Sequence, residues 1–276
     1  MIIIVQLGII MDLSNFKELD TLEASAMSCS FVKDEAGRTF LKQQDAKGLF
    51  AKPRSFPVYA VVTAFHGSEG ENGSFQGVCE MYNIPFTGSG VLASSVGMDK
   101  VKAKQLCEAN NIPVTPSLDF YESDWDVHQK AILQEADLLG YPLVVKPCSL
   151  GSSIGVKKVD EEESLIEAIE TAFRYDAHLL VEKAIHPLME INCSVMGSTE
   201  NCRASVCERP LGNTETLSFE DKSQSGGGAD KGMASADRVI PADISDELTD
   251  TIRSLAVHTF KTFNAGGVAR LDFLVN

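Results

Sequence analysis

The clearest pattern in the chain lies near its C-terminal end. From Asp246, apolar residues recur at Leu248, Ile252, Leu255, Ala256, Phe260 and Phe263. That spacing follows one face of a helix and predicts an amphipathic helix over 246–263. Gly266-Gly267 ends it and opens the run 268–275, where Ala269, Leu271 and Phe273 alternate with Arg270 and Asp272. Alternation of period two predicts a strand with one apolar and one charged face. Earlier, Leu165, Ile166, Ile169 and Phe173 predict a helix capped by Asp160, with Glu163 in capping-box position. Asp99 is placed to cap another helix through Ala109, stopped by Asn110-Asn111 and Pro113. A helix over 127–139 stops at Gly140, and short apolar runs predict strands at 143–146, 156–159, 179–182 and 190–196. The opening MIIIVQLGIIM is apolar for only 11 residues before Asp12, too short to span a bilayer, and no Lys or Arg precedes it as a signal segment would require. A buried strand is expected there.

Strands mixed with helices give an α/β (α+β) class. The first 95 or so residues, with the apolar run Val58–Val62 among glycine-rich turns, form a small α/β unit. At 276 residues the chain holds about two domains. Its net charge of −15 argues against nucleic acid or an anionic membrane as the main partner. A polyanionic small molecule would need a local basic pocket or a metal. The 7 cysteines are odd in number and contain no CxxC pair, so neither a disulfide framework nor a zinc site is indicated, and free thiols point to the cytoplasm.

Candidate chemistry gathers where buried strands end, the usual location of sites in α/β proteins. KPCSLGSSIG, residues 146–155, joins two predicted strands and suits either a hairpin turn or a phosphate-holding loop. It is not a Walker loop, because its lysine precedes the glycines. Lys100 opens a helix, Glu182-Lys183 closes an apolar strand, Glu190 opens the next and Lys222 lies in a polar loop over 218–236. That loop is either a surface linker or a cover. HGSEGENGSFQG, from His66, leaves backbone N–H groups free ahead of a helix. His66 is either structural or catalytic. Arg270 and Asp272 form either a structural pair or a metal-binding carboxylate beside an anion-binding guanidinium.

HGSEGENGSFQG, IPFTGSGVLASSVGMDK, VVKPCSLGSSIGVKKV, LLVEKAI and GVARLDFLV, in that order over residues 57–276, resemble the D-alanine–D-alanine ligase family of the ATP-grasp fold. The resemblance implies an N-terminal substrate-binding domain over 1–97, a central subdomain over 98–184 and a C-terminal subdomain over 185–276. It implies ATP and Mg²⁺ (or Mn²⁺) as cofactors, D-alanine as substrate, a homodimer, and an acyl phosphate attacked by a second D-alanine for peptidoglycan precursor synthesis. Lys100 and Lys146, with Gly151, Ser152 and Ser153 of the loop, match phosphate-binding positions. Glu182, Lys183 and Ile185 match the segment that reads adenine, and Glu190 the ribose-binding carboxylate. Lys222 matches the lysine of the covering loop. Ser152 and Arg270 match catalytic positions and Asp272 a magnesium ligand, and His66 is kept beside them as a catalytic candidate.

Three departures accompany the resemblance. The N-terminus has no convincing glutamate for the first amino acid. The family continues into a further strand with Glu and Asn metal ligands, so a partial chain of poor turnover is expected, its N-terminal domain incomplete and its C-terminal subdomain truncated. Ser223 stands where many members have tyrosine, which leaves a D-Ala–D-Ser or D-Ala–D-Lac relative as an alternative, and the missing metal-ligand strand leaves an inactive nucleotide-binding fragment as another.

Overall fold

A computed structural model of the chain describes residues 4–6, 9–11, 28–44, 52–63, 68–151, 154–211 and 238–276. They fall into two compact units, Met1–Val91 and Leu92–Asn276.

In the first unit the expected N-terminal strand is instead two short ones. β1 (Ile4–Gln6) pairs antiparallel with β2 (Ile9–Met11), so each satisfies backbone groups of the other. β3 (Cys29–Lys33), β4 (Thr39–Gln43) and β5 (Ser55–Pro57) form a separate antiparallel sheet in that order. α1 (Ser74–Tyr82) starts after Gly73, whose φ of 96° few other residues adopt. Val61, Cys79 and Ile84 form the core.

The second unit holds two four-stranded sheets. After α2 (Val91–Met98), α3 (Lys100–Ala109) starts as expected: the Asp99 carboxylate accepts from Lys102 N at 2.9 Å. β6 (Ser117–Tyr121) was not anticipated. α4 (Glu122–Leu139) begins five residues before the expected Val127, because Tyr121 and Asp124 form a capping box. Its backbone is kinked at His128, which masks the early part of its periodicity. Then come β7 (Leu143–Pro147), β8 (Lys157–Val159), α5 (Glu162–Ala172) and β9 (His178–Lys183). The capping box expected at Asp160 does not form. The N-cap is Glu161, which puts Glu163 one position too early to reach back, and Ser164 Oγ donates to Glu161 O at 2.8 Å instead.

These strands make a central sheet in the order β6-β9-β7-β8. Leu143, Val145, Leu179 and Val181 pack from it against Leu165 and Ile169 of α5 and Ile132 of α4. β10 (Met189–Gly197), β11 (Cys202–Pro210), β12 (Arg238–Val239), α6 (Asp246–Thr262) and β13 (Gly267–Val275) complete the unit. Their sheet runs β12-β11-β10-β13. Ile191, Cys193 and Val195 pack under Ile252, Ala256 and Phe260 of α6, which is the predicted helical stripe. Among the described residues no helix is long and apolar enough to cross a membrane.

Candidate functional site

The glycine-rich stretch connects β7 to β8, which pair antiparallel from Leu143–Val159 to Val145–Lys157. Its first residues are fixed from several sides. Cys148 N donates to His178 O at 3.0 Å, and Cys148 O accepts from Lys100 N at 3.0 Å. Lys100 Nζ donates to Pro147 O at 2.9 Å and also to Leu150 O. Asp176, just before β9, accepts from Ser149 N at 2.8 Å, from Ser149 Oγ at 2.5 Å and from His178 N at 3.1 Å. Burial raises the pKa of the Asp176 carboxyl, but these hydrogen bonds outweigh it and hold the group below its ordinary value. The far end closes on Gly155, at φ 69°. A Cβ there would lie 2.8 Å from Pro147 Cγ and 3.1 Å from Tyr175 Cδ2, so only glycine fits.

Burial also acts on two groups at this root. It lowers the pKa of Lys100, with the nearby Lys146 ammonium adding to the effect. It pushes the Cys148 thiol up to about 12, with Asp176, Asp99 and Asp119 contributing.

Beside the loop root, two ammonium groups and a hydroxyl meet on one carboxylate. Glu182, on β9, is 6% exposed. Its Oε1 accepts from Lys146 Nζ, Lys146 standing at the end of the neighbouring β7. Its Oε2 lies 3.1 Å from Lys104 Nζ, on α3, and 3.2 Å from Thr115 Oγ1. Burial raises the pKa of Glu182, yet the two ammoniums together more than cancel this, so the carboxyl lies below its ordinary range. Lys146, Glu182, Lys183, Ile185, Val144 and Leu274 wall a cleft here. Lys183 Nζ itself points to backbone, donating to Gly140 O at 2.6 Å and Tyr141 O at 2.8 Å.

The C-terminal sheet presents its polar face in register. Across β10 and β13, Glu190 pairs with Leu274, Asn192 with Asp272, and Ser194 with Arg270. Arg270 Nε and Nη2 donate to the two oxygens of Asp272 at 2.7 and 2.9 Å. The Asp272 hydrogen bonds raise the Arg270 pKa against the opposing effect of burial, and the charges of Asp272, Glu208 and Glu190 add to the rise. Among the described residues no group of three or more His, Cys, Asp or Glu is placed to hold a metal. Asp272 therefore fits a magnesium ion only as one carboxylate among ligands from phosphates and water, the manner in which magnesium commonly binds nucleotides.

Residues 106–276 match the family described as D-ala D-ala ligase C-terminus. The chain belongs to the D-alanine–D-alanine ligase family. It is 35% identical over 264 residues to the D-alanine–D-alanine ligase of Thermosipho melanesiensis, covering 96% of this chain and 68% of that one. It is 38% identical over 232 residues to the enzyme of Thermosipho africanus, covering 83% of this chain and 60% of the relative's length. The solved D-alanine–D-alanine ligase of Coxiella burnetii superposes with a TM-score of 0.73 at 26% identity, over 97% of this chain and 67% of that one. The VanG D-Ala:D-Ser ligase of Enterococcus faecalis gives 0.71 at 27% identity, over 93% and 71%. The chain thus has the ATP-grasp architecture of these D-alanine ligases, and spans about 60% of the length of the T. africanus relative.

In this D-alanine–D-alanine ligase-family chain, Lys100, Lys146 and Gly151 gather at the loop, with Glu182, Lys183 and Ile185 at the adjoining cleft. Glu190, Arg270 and Asp272 lie on neighbouring strands of the second sheet. His66, Ser152, Ser153, Lys222 and Ser223 lie outside the described residues. Three residues of the site escaped the sequence reading. Lys104 is one helical turn beyond Lys100, a spacing that puts both on one face. Asn192 is two residues beyond Glu190 and so shares its strand face. Asp176 had no periodic signal, being in a turn.

Proposed function

We propose that this chain is the nucleotide-using part of an ATP-dependent ligase that joins two D-alanines for peptidoglycan precursor synthesis. The observation that carries the proposal is a basic pocket inside an acidic protein: Lys100 and Lys146 converge at a glycine loop, beside a cleft at the strand ends. Such a pocket suits a nucleoside triphosphate. In this reading ATP lies with its base along Glu182, Lys183 and Ile185, its ribose toward Glu190 and its phosphates toward Lys146 and residues 151–153. Lys100, whose ammonium is held by the carbonyls of Pro147, Cys148 and Leu150, joins them by exchanging a loop carbonyl for a phosphate oxygen. Lys222 is assigned to the phosphates as a further cation.

A carboxylate oxygen of the first D-alanine attacks the γ-phosphorus; the bond to the β,γ-bridging oxygen breaks and ADP leaves. The amine nitrogen of the second D-alanine then attacks the carbonyl carbon of the acyl phosphate. It loses a proton to the departing phosphate as the C–O bond breaks. Arg270 faces the negative charge that develops on the carbonyl oxygen, with Ser152 orienting the reactants, and fixed cations of this kind stabilise a transition state best where water is excluded. Asp272 would hold magnesium brought by the phosphates, and the ion would supply neutralisation of phosphate charge. For Arg270 and Asp272 to do both, their mutual ion pair must open when nucleotide enters. The proposed setting is the cytoplasm, which 7 unpaired cysteines suit, and the assembly a homodimer.

The test is to incubate the purified chain with ATP and D-alanine, following ADP and dipeptide together. ADP formed in step with D-alanyl-D-alanine supports the proposal. A mixed product when D-serine is added would favour a D-Ala–D-Ser relative, a reading that the likeness to the VanG enzyme also supports. ATP binding without any ADP formation would favour a nucleotide-binding module.

A further inference from the structure

The ion cluster at Glu182 is asymmetric. Lys104 Nζ has three partners: Glu182 Oε2 at 3.1 Å, Thr115 O at 2.8 Å and Thr115 Oγ1 at 2.7 Å. An ammonium has three N–H groups, so Lys104 has none left to give. Lys146 Nζ, among the described residues, hydrogen-bonds to Glu182 alone. Lys146 also lines the cleft, whereas Lys104 does not. One carboxylate thus holds two ammoniums, one of them committed to the protein and the other facing the open space where phosphates would arrive.

Charge explains why both are present. A lone carboxylate as buried as Glu182 needs a permanent counter-ion, because an uncompensated buried charge is strongly unfavourable. Were Lys146 that counter-ion, it could turn to a phosphate only by stranding Glu182. We propose that Lys104 is a positioning residue for nucleotide binding: it stays on Glu182 as the fixed counter-ion and so leaves Lys146 free to exchange the carboxylate for phosphate. This rests on the assignment of the cleft to ATP above. Lys104 touches no ligand and acts only through Glu182.

Three probes separate the effects by calorimetric titration: ATP, inorganic tripolyphosphate for the phosphate half, and adenosine for the base half. Lys104→Met is expected to weaken ATP and tripolyphosphate about tenfold or more, the effect of losing a charged partner, while adenosine binding is unchanged. Lys104→Arg is expected to restore phosphate binding. The double variant Lys104→Met/Glu182→Gln removes the carboxylate that needs a counter-ion, and is expected to bind tripolyphosphate about as well as wild-type. It carries the test even if Lys104→Met alone fails to fold. Tripolyphosphate binding by Lys104→Met equal to wild-type, or an equal loss for adenosine, would overturn the role of Lys104 and leave the ATP assignment standing. So would a double variant as weak as Lys104→Met. A wild-type chain that binds none of the three probes would overturn the ATP assignment and this proposal with it.

Discussion

In the central sheet the decisive acidic side chain, Glu182, is buried and gripped from two sides by Lys104 and Lys146. In the C-terminal sheet Asp272 stands half in solvent, its side chain 52% exposed, with Arg270, two residues away on the same strand, as its ion-pair partner. Both are carboxylate–cation pairs at the same candidate site, but water treats them differently. Around Glu182 low polarity makes the attraction strong and any loss of a partner costly. Around Asp272 solvent screens the attraction, so the pair can open at little cost. The first arrangement fixes a pocket wall, and the second leaves a carboxylate and a guanidinium that can separate.

The largest expected effect follows from removing the buried charge. Glu182→Ala leaves two ammoniums facing each other, and breaking such a cluster is expected to cost about 3–5 kcal/mol in urea-unfolding free energy. A cost near zero would erase the contrast between the sheets. The same cluster has a pH signature. Because the folded Glu182 carboxyl titrates below its unfolded value, its contribution is complete above the ordinary glutamate range, near ~4.3, and is lost as pH falls through that range to the lower folded value. The stability difference between wild-type and Glu182→Gln is therefore expected to shrink on acidification, as unfolding midpoints at successive pH values would show. Next in size, Lys146→Ala is expected to weaken ATP binding by about 1–3 kcal/mol. Unchanged affinity in a calorimetric titration would remove Lys146 from the site. The smallest effect is expected at the exposed pair. Asp272→Ala should move unfolding free energy by less than about 1 kcal/mol, even where ADP formation falls sharply. A large loss of stability there would mean that Asp272 holds the sheet together.

Two kinds of element were legible in the sequence: strands built on an unbroken apolar run, such as β7 and β9, and elements whose burial is one-sided. α6 announced itself because Ile252, Ala256 and Phe260 recur at helical spacing and face one sheet. β13 did so because Ala269, Leu271 and Phe273 alternate with charged neighbours. β6 and β11 were not legible: Asp119 interrupts the first, and a shift of register between Cys193 and Val195 breaks the alternation of the second against its neighbour. In the site, the glycine loop and its lysine stood out because glycines and strand ends are local signals. The grip of Lys104 on Glu182 joins residues 78 positions apart in the sequence, and no spacing rule reaches that far. The cap at Glu161 was missed for a smaller reason, since a run of acidic residues offers several starts of nearly equal quality.

The burial of Cys148 bears on how the protein meets electrophiles. A cysteine beside a lysine at the root of a glycine loop has the surroundings in which thiols often become nucleophilic. Here burial overrides the cation: the side chain is 2% exposed and the thiol is pushed to about 12. At neutral pH very little of the thiol is then ionised, so maleimides, iodoacetamide and peroxides find almost nothing to attack. Cys29 and Cys202, the two cysteines that are not buried, are expected to be alkylated first. The loop root keeps its packing under oxidising conditions that would mark those two, and alkylation of Cys148 would itself report that this part of the fold has opened.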